Sequence, residues 1–354
     1  MIVISHNYQD GPTQEVSDYV FGTTSIVRRA SEFRGKRVLF CGVMYMAEDM
    51  YNMADGQIEI FLPEIQVKNG EVDKPRCPMI KRQRGTDIVT RKHLEEARKH
   101  NPDMILSYIN TPSSIKAETN GVYNGTVGLK VVGEIAEESE GRGRVAFIGD
   151  YNVNEWIADK VKPQYPEFEV ISVPVSGVQC PSHVKIDERL FMETYRSLKS
   201  KFGDDLGLEM HAEVTKTLRE FGFENNAYFG GTDGLVDKPK ESDINHWLIG
   251  TVEGVIDRLR RETTKDVYSV GIRCPNMSYT TPEKVMRARD LLEDNGPVAV
   301  ANYSMRDLPY FDIEVLRPEF VRETKGGATR IPAVRITLEK EISVMAKGAL
   351  TSLL

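Results

Sequence analysis

The chain has 354 residues, 40% of them hydrophobic and 28% charged, with a formal net charge of −7. That composition is ordinary for a globular protein of two or three domains, and its acidic balance argues against a nucleic-acid backbone as partner. No apolar run is long enough to span a membrane, the opening Met1-Ile2-Val3-Ile4-Ser5 has no signal-peptide character, and the 4 cysteines lack a disulfide spacing, so a cytoplasmic enzyme is expected.

In chain order, short apolar runs at 2–4, 37–43, 57–62, 104–109, 145–148, 168–173, 207–210 and 266–272 read as buried strands. Helical periodicity fills Glu15 to Phe33, Arg91 to Lys99, Val153 to Val161, Asp187 to Lys199 and Asp243 to Arg261. This alternation predicts an α/β protein with parallel sheets and helical crossovers. Such sheets place ligands in the loops beyond the carboxyl ends of their strands. Those loops are polar here: His6-Asn7-Tyr8-Gln9, Tyr108-Ile109-Asn110, Met210-His211-Ala212-Glu213 and Gly230-Gly231-Thr232-Asp233-Gly234. From 296 to 332 the pattern breaks at Asn295-Gly296-Pro297, Arg317-Pro318 and Gly326-Gly327. That stretch reads as an inserted flap or interface element, and Leu338 to Leu354 as a closing amphipathic helix.

The cysteines divide into two kinds. Cys41, inside Val38-Leu39-Phe40-Cys41-Gly42-Val43, reads as a core strand residue. Cys77, Cys180 and Cys274 each precede a proline, each follow a strand, and each fall in a different third of the chain. The repeat suggests one αβ unit used three times, every copy offering a cysteine to a shared centre. Iron–sulfur clusters are ordinarily held by four cysteines. Three leave one iron of a [4Fe–4S] cube open, a Lewis acid able to grip a substrate. The basic cluster Lys81-Arg82-Gln83-Arg84 reads either as a solvated loop or as a rim that gathers anions.

Taken in order, several of these motifs resemble quinolinate synthase, the NadA family of NAD biosynthesis. They are His6-Asn7-Tyr8-Gln9, Phe40-Cys41-Gly42-Val43-Met44-Tyr45-Met46-Ala47-Glu48, Tyr108-Ile109-Asn110-Thr111, Cys180-Pro181-Ser182-His183, His211-Ala212-Glu213 and Cys274-Pro275-Asn276-Met277. The resemblance implies three similar αβα domains around a pseudo-threefold axis, at 1–88, 89–186 and 187–295. The segment 296–337 is then an insertion, and the helix 338–354 completes the first domain. It implies a [4Fe–4S] cluster on Cys77, Cys180 and Cys274, and the condensation of iminoaspartate with dihydroxyacetone phosphate to quinolinate. An L-aspartate oxidase or dehydrogenase would supply the iminoaspartate. Glu213 is the expected acid/base, with Tyr8 and Tyr108 as proton relays. His6, Thr23, Asn110, His183, His211 and Thr232 are the expected substrate contacts, the histidines through charge-assisted hydrogen bonds.

Small anion-gripping residues of the family are partly replaced, at Phe21-Gly22-Thr23, Asn124-Gly125-Thr126-Val127 and Gly231-Thr232-Asp233. A carboxylate at 233 beside a phosphate is expected to repel it. A paralogue using a different acid therefore stays open. So do a radical enzyme like those of diphthamide synthesis and an iron–sulfur sensor without catalysis.

Overall fold

The computed structural model describes residues 1–77, 79, 91–173, 178–303 and 311–354. The chain is α/β. Its first strands are β1 (Ile2–His6), β2 (Tyr19–Phe21), β3 (Arg37–Cys41), β4 (Glu59–Lys68) and β5 (Glu71–Lys74). Next come β6 (Met104–Tyr108), β7 (Gly121–Tyr123), β8 (Arg144–Ile148) and β9 (Glu169–Val173), which form a second sheet, all parallel, in the order β7-β6-β8-β9. A third parallel sheet, β11-β10-β12-β13, is built from β10 (Leu206–His211), β11 (Tyr228–Gly230), β12 (His246–Gly250) and β13 (Asp266–Tyr268). The first sheet carries the same parallel order as β2-β1-β3-β4. Three times, then, the opening strand lies between the second and the third. That is a doubly wound switch point, where loops on either side diverge and leave a crevice.

Apolar strand residues are buried because helices cover the faces of these sheets. In the first sheet Ile4, Val38, Leu39, Phe40 and Ile60 are fully enclosed, as is Cys41 in its expected core position. The loop after β1 is pinned to the third unit. Gln14 Nε2 donates to the carbonyls of Asn7, Gln9 and Gly254. A Cβ on Gly254 would lie 2.4 Å from the carbonyl oxygens of Asn7 and Gln9, so only glycine permits this approach.

Three expectations are corrected. Glu15 to Phe33 is not one helix, because β2 interrupts it and pairs with β1. Asp243 to Arg261 opens with β12, and its helix is Glu253–Glu262. The stretch 296–332 contains strands: β14 (Ala299–Tyr303), β15 (Phe311–Val315), β16 (Arg322–Glu323) and the start of β17 (Ala328–Leu338). β17 runs antiparallel to β4 and parallel to β14, so this segment widens the first sheet to nine strands among the described residues. The first sheet thus carries antiparallel pairs beside its parallel β2-β1-β3-β4 core. The final helix, Lys340–Leu350, packs on helices Met44–Met53 and Ser113–Lys116.

Candidate active site

The carboxyl ends of all three sheets open onto one pocket, lined by residues from each of them. The opening strands deliver its chemistry at matching offsets, one residue ending the strand and another two positions later. From β1 these are His6 and Tyr8, from β6 Tyr108 and Asn110, and from β10 His211 and Glu213. The loops after the second strands add Thr23, Asn124 and Thr232. Cys77, Cys180 and Cys274 line the same pocket. Of the residues selected from sequence, His183 alone is not on its wall. It is fully buried behind it, on the short turn His183–Lys185.

Glu213 is the hub. The Tyr108 hydroxyl donates to Oε1 at 2.8 Å, and His183 Nδ1 lies 2.7 Å from Oε2. On its other side His183 Nε2 meets Thr251 Oγ1 at 3.0 Å and the Tyr8 hydroxyl at 3.3 Å. Tyr8, His183 and Glu213 thus form a continuous chain, with Tyr108 ending on the same carboxylate. Asp150 caps the helix Tyr151–Val161 through Val153 N and holds the backbone N–H of Cys180 at 2.8 Å.

Burial pushes the Glu213 carboxyl up, but hydrogen bonds from His183 and Tyr108 with the neighbouring His211 more than offset it, down to about 2. His211 is itself driven down to about 3, by burial first. Asp150 moves the opposite way, pushed up by burial and by the charge of Glu213. Both tyrosines are pushed well above the ordinary range, by burial first and Glu213 next, so they remain hydroxyl donors.

The histidine chemistry differs from expectation. Burial drives His6 down to about 3 as well. Its Nδ1 accepts from Tyr8 N–H, and His211 Nδ1 accepts from Glu213 N–H. Each neutral ring therefore keeps its proton on Nε2, and that of His6 donates to Thr23 Oγ1 at 3.0 Å. Neither ring brings a positive charge of its own to the pocket.

Asp233 also departs from its expected place. It is not on the pocket wall. Its carboxylate accepts from the backbone N–H groups of Gly22, Thr24 and Ser25, while Thr232 Oγ1 accepts from Thr23 N–H. Lys81, Arg82 and Arg84 lie outside the described residues, and among the described residues no lysine or arginine lines the pocket. Residues not selected from sequence include Tyr45, Met46, Met79, Asn124 and Ser182 on the wall and Thr251 behind it. Tyr45 and Thr251 follow the third strands β3 and β12, the one loop class left unassigned. Among the described residues, two buried atoms of wall residues have no hydrogen-bond partner, Asn110 Oδ1 and Ser182 Oγ.

A family profile described as NadA, Quinolinate synthetase A protein, matches residues 1–307. The chain belongs to this family. It is 28% identical over 291 residues to the quinolinate synthase of Caldicellulosiruptor bescii, covering 81% of this chain and 84% of that one. With the quinolinate synthase of Methanopyrus kandleri it shares 28% identity over 300 residues, 84% of this chain and 91% of the relative. The NadA match covers all three cysteines and the whole pocket wall. It ends before β15, so the strands that widen the first sheet and the closing helix lie largely beyond it. No helix among the described residues is long and apolar enough to cross a membrane.

Proposed function

We propose that this NadA-family enzyme is a cytoplasmic quinolinate synthase, condensing iminoaspartate with dihydroxyacetone phosphate. The observation that carries the reading is the convergence of Glu213, Tyr108, Tyr8 and three cysteines from three separate sheets on one pocket. The cysteines fit a [4Fe–4S] cluster. All three line one pocket, and burial pushes the Cys77 and Cys180 thiols up, so their thiolate forms need a positive centre beside them. When bound, a cluster held by three cysteines supplies a Lewis-acidic iron to the pocket.

The protein's own groups then divide the work. Glu213 takes the proton from carbon beside a carbonyl, being held ionised within a water-poor site. Tyr108, hydrogen-bonded to Glu213, delivers a proton to a departing hydroxyl and recovers it from the carboxyl. Tyr8 and His183 extend that relay toward Thr251. The Nε2–H of His211 and the Ser182 hydroxyl donate to substrate carboxylate and carbonyl oxygens, and Asn110 Oδ1 accepts from a substrate N–H or O–H. An L-aspartate oxidase or dehydrogenase supplies the imine.

An anaerobic assay for quinolinate from these two substrates, with reconstituted protein, tests the reading. Product is expected from the wild type and none from Cys180→Ser. A second reading, with an acid lacking phosphate as co-substrate, is favoured by the absence of lysine and arginine from the described pocket wall and by Asp233 occupying the amides of the 22–25 loop. An intact cluster with no quinolinate formed would select it.

A further inference from the structure

Cys180 and His183 sit three residues apart, and the turn between them folds both side chains to one side. His183 Nδ1 lies 3.2 Å from Cys180 Sγ and 2.7 Å from Glu213 Oε2. Thiol, imidazole and carboxylate atoms all fall within 4.8 Å of one another, although Glu213 comes from a different sheet. We propose that Cys180, His183 and Glu213 form a site for a single thiophilic divalent ion, zinc or ferrous iron, and that this ion and a cluster on Cys180 exclude each other.

Several independent features prepare these atoms for a metal. The donor set of sulfur, nitrogen and oxygen suits zinc and ferrous iron and is poor for calcium or magnesium. Bond lengths of about 2.3 Å to sulfur and about 2.0–2.2 Å to nitrogen and oxygen put tetrahedral ligands roughly 3.3–3.7 Å apart. The His183 nitrogen therefore needs to draw back from the sulfur and from the carboxylate oxygen by roughly half an ångström each, and the sulfur and that oxygen already lie within 4.8 Å of each other. The outer partners of each ligand are in place. Thr251 Oγ1 sits 3.0 Å from His183 Nε2, able to accept its proton once Nδ1 turns to the metal, and Tyr108 holds the other carboxylate oxygen of Glu213. Asp150 fixes the Cys180 backbone at 2.8 Å. Cys180 and Glu213 both line the pocket, which leaves the fourth position facing the cavity, as in zinc sites with an open ligand.

Binding replaces the thiol proton of Cys180, released to solvent, with a metal–sulfur bond, and moves the imidazole proton to Nε2. No redox change is involved. The ion takes one cysteine that the cluster needs and the carboxylate that the reaction needs. Its presence thus defines an inactive form of the protein that must be emptied before a cluster is assembled. This consequence rests on the proposed role of Cys180 as a cluster ligand; the metal site does not.

The test uses the full chain purified without a cluster and titrated with Zn²⁺ alone against a chromophoric chelator, with Co²⁺ as the optical probe. One equivalent is expected, with a thiolate-to-cobalt charge-transfer band. Loss of an outer partner typically weakens metal binding about 10–100-fold, so His183→Gln and Glu213→Gln should each weaken it by at least about 100-fold, and Thr251→Val by about tenfold. Cys77→Ser and Cys274→Ser should bind as the wild type does. Circular dichroism checks that each variant is folded, and the conservative Glu213→Gln is decisive if His183→Gln is not. Equal loss in Cys77→Ser or Cys274→Ser would mean that the three cysteines hold the ion, and would overturn the proposal. So would binding unaffected by Glu213→Gln. Failure of cluster assembly or of quinolinate synthesis leaves this titration readable, so the two conclusions fail separately. In the cluster-loaded wild type, Zn²⁺ uptake should appear only as the cluster's absorbance is lost.

Discussion

Among the described residues the Tyr108 hydroxyl has Glu213 as its one side-chain hydrogen-bond partner, which makes it a clean single-atom probe of the site. Tyr108→Phe keeps the ring and its contact with Tyr123 while removing that donor. Turnover is expected to fall about 10²–10⁴-fold and stability by about 1 kcal/mol, read by steady-state assay and urea unfolding. Unchanged turnover would remove Tyr108 from the reaction. His6 gives a pH signature. Burial first, then the charge of Arg258, hold it down to about 3 in the folded chain, against about 6.5 when unfolded. Between those values the unfolded chain binds more protons, so the stabilisation is complete above about pH 6.5 and is lost as pH falls toward 3. From pH 7 to pH 5 this one group should cost about 1–2 kcal/mol. Urea unfolding of cluster-free protein at the two values should show a shallower fall in His6→Asn than in the wild type.

At the scale of elements, the loops after the second strands hold the first and third units together. The carboxylate of Asp233 accepts three backbone N–H groups of the first unit, and its neighbour Thr232 accepts a fourth. The fit is close: a Cβ on Gly22 would sit 2.4 Å from that carboxylate. Asn124 of the second unit reaches the same loop through Thr24 at 3.0 Å. Asp233→Ala is expected to destabilise the fold by about 1–3 kcal/mol, the cost of unmade charge-assisted hydrogen bonds at a half-buried site. Thermal unfolding measures it, and a melting temperature equal to that of the wild type would show the clasp to be idle. The residue that reads from sequence as a charge hostile to phosphate is, in the fold, a cap turned away from the pocket.

Across the whole molecule, a buried ion pair ties the first unit to the second. Lys116 Nζ meets Asp49 Oδ1 at 2.5 Å with side-chain exposures of 0% and 1%, and the closing helix packs over both parent helices. Burial pushes the Asp49 carboxyl up to about 7 despite Lys116, the mark of a charge expensive to keep indoors. Lys116→Met leaves that carboxyl unpaired and should cost about 3–5 kcal/mol, while Asp49→Leu with Lys116→Met should recover most of it. Chemical denaturation of the two variants distinguishes a pair that is merely tolerated from one that holds the units together.

The α/β class, the opening strands of the three parallel sheets and most of the side chains that line the pocket were legible in one dimension. Apolar runs and polar strand-end loops are local patterns, and the Cys-Pro repeat survives in one dimension. Short strands escaped the sequence patterns. Three-residue β2 has too few positions to show a period, and β12 merges with the helical pattern that follows, which hid Thr251 beside it. That 299–338 widens the first sheet emerges in three dimensions alone, because β17 finds its partner in β4, more than two hundred residues earlier. The folded chain alone leaves His6 and His211 uncharged, since burial is a property of the assembled pocket. It also brought Glu213 to His183 and Cys180, groups from different sheets whose proximity no spacing along the chain encodes.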